Sequence, residues 1–180
     1  NISNNIDNIK KIENEKYIKL INKIIEKIIK TLKNNKKIIF CGNGGSAADS
    51  QHLCAELVSK FLKKRKPYAA ISLTTNTSTI TSISNDFDYS YIFSKQIEAI
   101  GNKGDLLFAI STSGKSKNIL RAIKIANEKK IYTILMSGLD NKKKIANLTF
   151  NAPSNRVDRI QELHIHIGHI ICELIEKKLN

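Results

Sequence analysis

Apolar positions recur at helical spacing through the first part of the chain. Isoleucine stands at 6, 9, 12, 18, 21, 24, 25, 28 and 29, with Lys, Asn and Glu between. This spacing predicts a long amphipathic helix over residues 6–33, or two helices broken near Asn14 and Glu15. An apolar stripe of that length needs a partner, either the main domain or a second subunit. The pattern then changes. Lys37-Ile38-Ile39-Phe40-Cys41 is a short continuous apolar run, followed by Gly42-Asn43-Gly44-Gly45-Ser46 and a helical pattern to about Leu62. That order reads as strand, glycine-rich turn, helix. Residues 69–73 form a second short strand, and the Ser- and Thr-rich stretch 74–84 builds a helix. A further helix covers 89–100. Residues 105–110 are a third strand, 111–116 a second polar turn, and 117–128 helical again. Residues 131–136 and 148–151 are the fourth and fifth strands, and the last helix runs from about Asn155 to Lys178.

Strands alternating with helices over short loops imply a parallel sheet with helices on both faces. Near-continuous apolar strands suit burial on both sides. The fold class is therefore α/β: a three-layer sandwich with a central parallel sheet flanked by helices, plus an N-terminal helical extension. Length supports one domain over 1–180, with 1–36 as the extension and 37–180 as the α/β core. A chain of this size buries roughly 70% of its unfolded surface. Hydrophobic residues at 41% supply the core, which argues against disorder.

Composition adds a charge to be explained. Thirty basic residues against sixteen acidic ones give a formal net charge of +14. Nucleic acid is the obvious partner to test. Yet Ile, Lys and Asn make up 76 of the 180 residues, a bias that AT-rich codons would impose whatever the function. Arginine, the usual base and phosphate reader, occurs only at 65, 121, 156 and 159. Aromatic residues are 6% with no Trp, too few for stacking platforms. No nucleic-acid partner is expected. The five basic residues in 60–66 read as a solvated helix end ahead of Pro67. No apolar run spans a membrane and none marks a secretory signal. Three cysteines without CxxC spacing fit reduced thiols and a cytoplasmic location. The chain begins at Asn1 rather than Met, so a short leader is expected to precede it.

Two turns lie beyond carboxyl ends of strands, where open α/β sheets bind ligands. The turn 111–116 packs Ser111, Thr112, Ser113 and Ser116 around Gly114 ahead of a helix. Amides at a helix N-terminus favour an anion, and hydroxyls add neutral donors. No GxxxxGK[ST] pattern exists, and Gly42, Gly44 and Gly45 lack GxGxxG spacing. A phosphorylated small molecule is one reading; Ser116 as a plain helix cap is the other. His52 and Glu56 are four apart, on one helix face, so both can reach one metal. Gln161, His164, His166 and His169 crowd the last helix. His164 and His169 are about 140° apart on the helix wheel and cannot share a site. Gln161 and His169 stand roughly 12 Å apart along the axis, so one ion joins them only through leaning side chains or from different subunits. His166 reads as a solvated residue and His164 as a packing one.

These segments decide a resemblance. Residues 41–52 (CGNGGSAADSQH) with Ala55-Glu56-Leu57 resemble the first sugar-phosphate loop of the phosphoheptose isomerases, members of the sugar isomerase (SIS) superfamily. Ser84-Asn85-Asp86-Phe87 resembles the family's Gly-Asn-Asp-Phe/Tyr segment, with Ser in place of Gly. Residues 110–116 fit its phosphate loop. Asp158-Arg159-Ile160-Gln161-Glu162-Leu163-His164 and His169 resemble its C-terminal signature. The likeness covers about 37–178 in unbroken order.

The resemblance implies an aldose–ketose isomerase acting on sedoheptulose 7-phosphate and yielding D-glycero-D-manno-heptose 7-phosphate for lipopolysaccharide or capsule precursors. It implies that Ser111, Thr112, Ser113 and Ser116 hold the phosphate, with Asn43, Gly44 and Gly45 near the sugar. Asn85 and Asp86 contact substrate hydroxyls, and Asp158 lies near the site. His52, Glu56, Gln161 and His169 match zinc positions; Glu56 also matches the catalytic base and His169 the acid. It further implies a homotetramer. Lys60 departs from the Arg found in some members. The rival readings are an isomerase of another sugar phosphate and a non-catalytic relative that binds a replication initiator. A pure binding protein has no need to keep His52, Glu56 and His169 together.

Overall fold

The computed structural model describes residues 2–139, 141 and 144–179. The N-terminal stripe is two helices, α1 (Ile2–Ile12) and α2 (Glu15–Lys33). The break has a local cause: the Asn14 carboxamide accepts the amides of Lys16 and Tyr17 and caps α2. Next come β1 (Ile38–Gly42), α3 (Gly45–Val58), β2 (Ala70–Ser72) and α4 (Thr77–Asp86). They are followed by α5 (Ser94–Ile100), β3 (Leu106–Ile110), α6 (Lys117–Glu128), β4 (Tyr132–Gly138), β5 (Leu148–Ala152) and α7 (Val157–Leu179).

All strand pairs are parallel, in the order β2-β1-β3-β4-β5. The chain runs outward from β1 to β2, then crosses back to β3. The carboxyl ends of β1 and β3 therefore flank the topological switch point, where ligands of such sheets bind. Side chains alternate between the faces as strand pleating requires. Ile38, Phe40, Leu106, Phe108 and Ile134 pack with α1, α2, α3 and α7 on one side. Ile39, Cys41, Leu107, Ala109 and Leu135 pack with α5 and α6 on the other. This is the three-layer α/β sandwich expected.

The N-terminal stripe divides its apolar residues. Ile21, Ile24, Ile25 and Ile28 of α2 are buried in the main core, whereas Ile2, Ile6, Ile9 and Ile18 remain exposed. Together α1, α2 and α7 line an apolar groove of about 320 Å³.

Two expectations need correction. The helix after the first turn stops at Val58, not Leu62, and residues 60–66 are not a solvated helix end. Arg65 turns inward, its side chain only 2% exposed, onto an equally buried Glu176. Local pattern could not show this, because the partner is 111 positions away. The helix expected over 89–100 is also split. A 3₁₀ turn at Tyr89–Tyr91 is capped by Asp88, and α5 begins only at Ser94.

Candidate active site

The two polar turns meet at the switch point. After β1, Gly44 adopts a left-handed conformation (φ 53°), which lets α3 begin at once. After β3, the turn 111–116 leads into α6. Ser116 occupies the N-cap position, yet its side chain caps no backbone amide. Its hydroxyl instead lies 3.4 Å from that of Ser111. The plain-cap reading of Ser116 therefore fails; the Ser113 hydroxyl accepts the Lys115 amide at 3.1 Å.

Asn118, buried in the first turn of α6, ties the turns together. Its Nδ2 donates to Asn43 Oδ1 (2.8 Å) and its Oδ1 accepts Asn43 Nδ2 (2.9 Å). The Tyr89 hydroxyl donates to the same Asn43 oxygen at 3.0 Å. Asn43 thus acts as a bridge between the loops, with its carbonyl oxygen already taken by two donors. Asn118 and Tyr89 lay outside every motif; only tertiary contact reveals them.

A second cluster forms where α3 and α7 pack side by side. The helices run in the same direction, as their contacts show in order: Gly45 on Gln161, Leu53 on Gly168, His52 on His169. Gly168 permits the approach, since a side chain there would collide with Leu53. His52 Nε2 lies 3.0 Å from His169 Nε2 and 3.2 Å from Glu56 Oε1. One ligand atom from each of the three lies within 4.8 Å of the others. Two imidazoles and a carboxylate form a donor set typical of catalytic zinc. Ligands about 2.1 Å from a tetrahedral ion stand about 3.4 Å apart, close to the spacing seen. The residues therefore fit a metal ion.

The surroundings are partly apolar. The Phe61 ring stacks on His169 at 5.7 Å and 18°. Burial, then the neighbouring His52, lowers the His169 pKa, against the pull of Glu56. On the same face of α3, burial pushes the Asp49 carboxyl up to about 6, opposed by His52, and one of its oxygens is buried without a hydrogen-bond partner.

The remaining expected residues fall in separate places. Gln161 is two turns before His169, its amide so close to Gly45 that a side chain at 45 would strike it. It thus faces the sugar-loop end of α3. Asn85 and Asp86 end α4, exposed, with the amide of one bonded to the carboxylate of the other at 2.9 Å. Asp158 is exposed at the start of α7 and pairs with Arg156 (2.7 Å) and Arg159 (3.2 Å). The Arg156 hydrogen bond holds its carboxyl down at about 2. His164 is buried on the opposite side of α7 from the cluster. Its Nε2 meets the Ser137 carbonyl at 3.1 Å, and burial depresses its pKa to about 4. His166 is exposed.

Comparison with known proteins converges on one family. The SIS domain family profile matches residues 3–138. A phosphoheptose isomerase of Clostridium acetobutylicum is 51% identical over 165 residues, covering 91% of this chain and 84% of that protein. Among solved structures, the phosphoheptose isomerase of Neisseria gonorrhoeae superposes with a TM-score of 0.89 at 37% identity, covering 98% of this chain and 95% of that one. The enzyme from Francisella tularensis gives 0.92 at 31% identity, covering 98% and 94%. The chain belongs to the SIS-domain family and, within it, to the phosphoheptose isomerases.

Proposed function

We propose that this protein is an aldose–ketose isomerase that converts sedoheptulose 7-phosphate to D-glycero-D-manno-heptose 7-phosphate. The observation that carries the reading is the meeting of His52, Glu56 and His169 where α3 packs on α7. Family membership supplies the substrate class; this juxtaposition supplies the chemistry.

The turn 111–116 receives the phosphate through Ser111, Thr112, Ser113 and Ser116, with amides at the start of α6 as further donors. Asn43, Gly44 and Gly45 border the sugar, and Gln161 approaches it over Gly45. Asn85, Asp86 and Asp158 contact the substrate from separate elements, as the family pattern implies. Glu56 takes the proton from the carbon beside the carbonyl and returns it to the neighbouring carbon through an enediol. His169 protonates the developing oxygen, a task suited to imidazole near neutral pH. His52, Glu56 and His169 would hold zinc, with Gln161 as a more distant ligand position; the ion would supply a Lewis acid for the carbonyl and the enediolate charge. Glu56 serves two tasks, and a carboxylate has two oxygens for them: one faces His52, and the other handles the proton.

The same reading includes a cytoplasmic homotetramer and a single domain over 1–180. The exposed isoleucines of α1 and α2 support self-association, because an apolar face of this kind is covered in most soluble proteins. No described helix is long and apolar enough to cross a membrane.

A coupled assay on five- to seven-carbon ketose phosphates, with and without added zinc, tests the proposal. Turnover confined to the seven-carbon substrate and enhanced by zinc is expected. Absence of both turnover and bound metal would instead favour a binding protein on the same fold.

A further inference from the structure

Arg65 and Glu176 have no part in the motifs or the reaction, yet they form a nearly solvent-free ion pair. Both side chains are 2% exposed, and Arg65 Nε donates to Glu176 Oε1 at 2.9 Å. Burying an ion pair is a poor route to stability, because desolvation offsets the attraction. Its geometry explains its presence better. From Arg65, Nη2 donates to the Glu56 carbonyl at 2.6 Å and Nη1 to the Leu57 carbonyl at 2.9 Å. Both carbonyls lie in the last turn of α3, and that of Leu57 also accepts the Tyr68 amide at 3.0 Å; the guanidinium thus caps the helix on the very turn that bears Glu56. The ring of Tyr68 lies 4.0 Å from the guanidinium carbon and fixes its plane.

Glu176 works on the other side. It accepts the amides of Phe61 (3.3 Å), Leu62 (2.9 Å) and Lys63 (3.0 Å). Phe61 in turn stacks on His169. One carboxylate on α7 therefore seats the ring behind His169, and its guanidinium partner seats the backbone behind Glu56.

We propose that the Arg65–Glu176 pair is a positioning device that sets Glu56 on α3 against His169 on α7. The inference rests on the isomerase reading above for the roles of those two residues. A planar fork is required, since Nε must meet the carboxylate while both Nη atoms meet carbonyls. A lysine ammonium keeps the charge but cannot span these partners.

Two variants test this, both measured well below their melting temperatures. Arg65→Lys leaves no buried charge unpaired. It is expected to lower kcat and zinc affinity about 10- to 100-fold, the range for partners behind metal ligands. KM stays within about twofold, because the phosphate turn is untouched. Glu176→Asp keeps the carboxylate but draws it back by one methylene, and gives a smaller loss of the same kind. If Arg65→Lys does not fold, Glu176→Asp decides alone. A lowered Tm with wild-type kcat and zinc affinity would mean a purely structural pair and overturn the proposal. If the wild type itself neither turns over nor binds zinc, the isomerase reading has failed. The imidazole NMR signals of His52 and His169 then decide: a shift in the variants supports the positioning role, and unchanged signals overturn it.

Discussion

The hydroxyl turn and the histidine–glutamate cluster are assembled in opposite ways. The turn draws four hydroxyls from six consecutive residues around Gly114, which takes a positive φ. The cluster joins His52 to His169 across 117 positions and exists only because α3 and α7 lie in close contact. A local site tolerates loosening of the tertiary structure. An assembled one depends on every contact that sets the helix spacing. Binding and chemistry should therefore fail separately.

The sharpest break is Glu56→Gln. It removes the proposed base, and turnover should drop about a thousandfold. Substrate affinity, set by the turn, should change by less than about threefold. Steady-state kinetics and calorimetry with the substrate separate the two; a parallel loss of both would dissolve the distinction. His169→Ala comes next. Zinc affinity, measured by competition with a chromogenic chelator, should fall by more than about tenfold to a hundredfold, the cost of losing only an outer partner.

Acid provides a third test, through the seating of α7. Unfolded His164 takes up a proton near 6.5, whereas the folded residue does so only near 4. Stability from this group is therefore present above pH 6.5 and is lost as pH falls through 4. The loss amounts to about 3 kcal/mol, visible as a urea midpoint that falls less steeply between pH 6.5 and 4 in His164→Gln than in the wild type. The assembled cluster should loosen in this window before the turn does. The smallest effect belongs to Ser116→Ala. Removing one hydroxyl from a charged ligand should raise KM roughly tenfold with kcat unchanged. A lower kcat would show that the turn also shapes the transition state.

Legibility followed the same division. The break at Asn14, the strands and both polar turns were readable, because capping and apolar runs act over a few residues. His52 and Glu56 were readable as a pair from their i,i+4 spacing. Their meeting with His169 followed only from resemblance to a family. Asn118, Tyr89, Arg65 and Glu176 carried no local signal. Arg65 was actively misleading, since a basic residue among lysines looks like surface.

By itself the sequence determined the α/β class, the alternation of elements and the two turns. It also showed that the +14 charge comes almost wholly from lysine, with arginine at only four positions. Tertiary structure alone decided which helices share a face, that α3 and α7 run together over Gly168, and that a buried guanidinium closes the end of α3. The reason is range. Propensity, capping and periodicity act between near neighbours, whereas burial and ion pairing select partners more than a hundred residues apart, after the chain has packed.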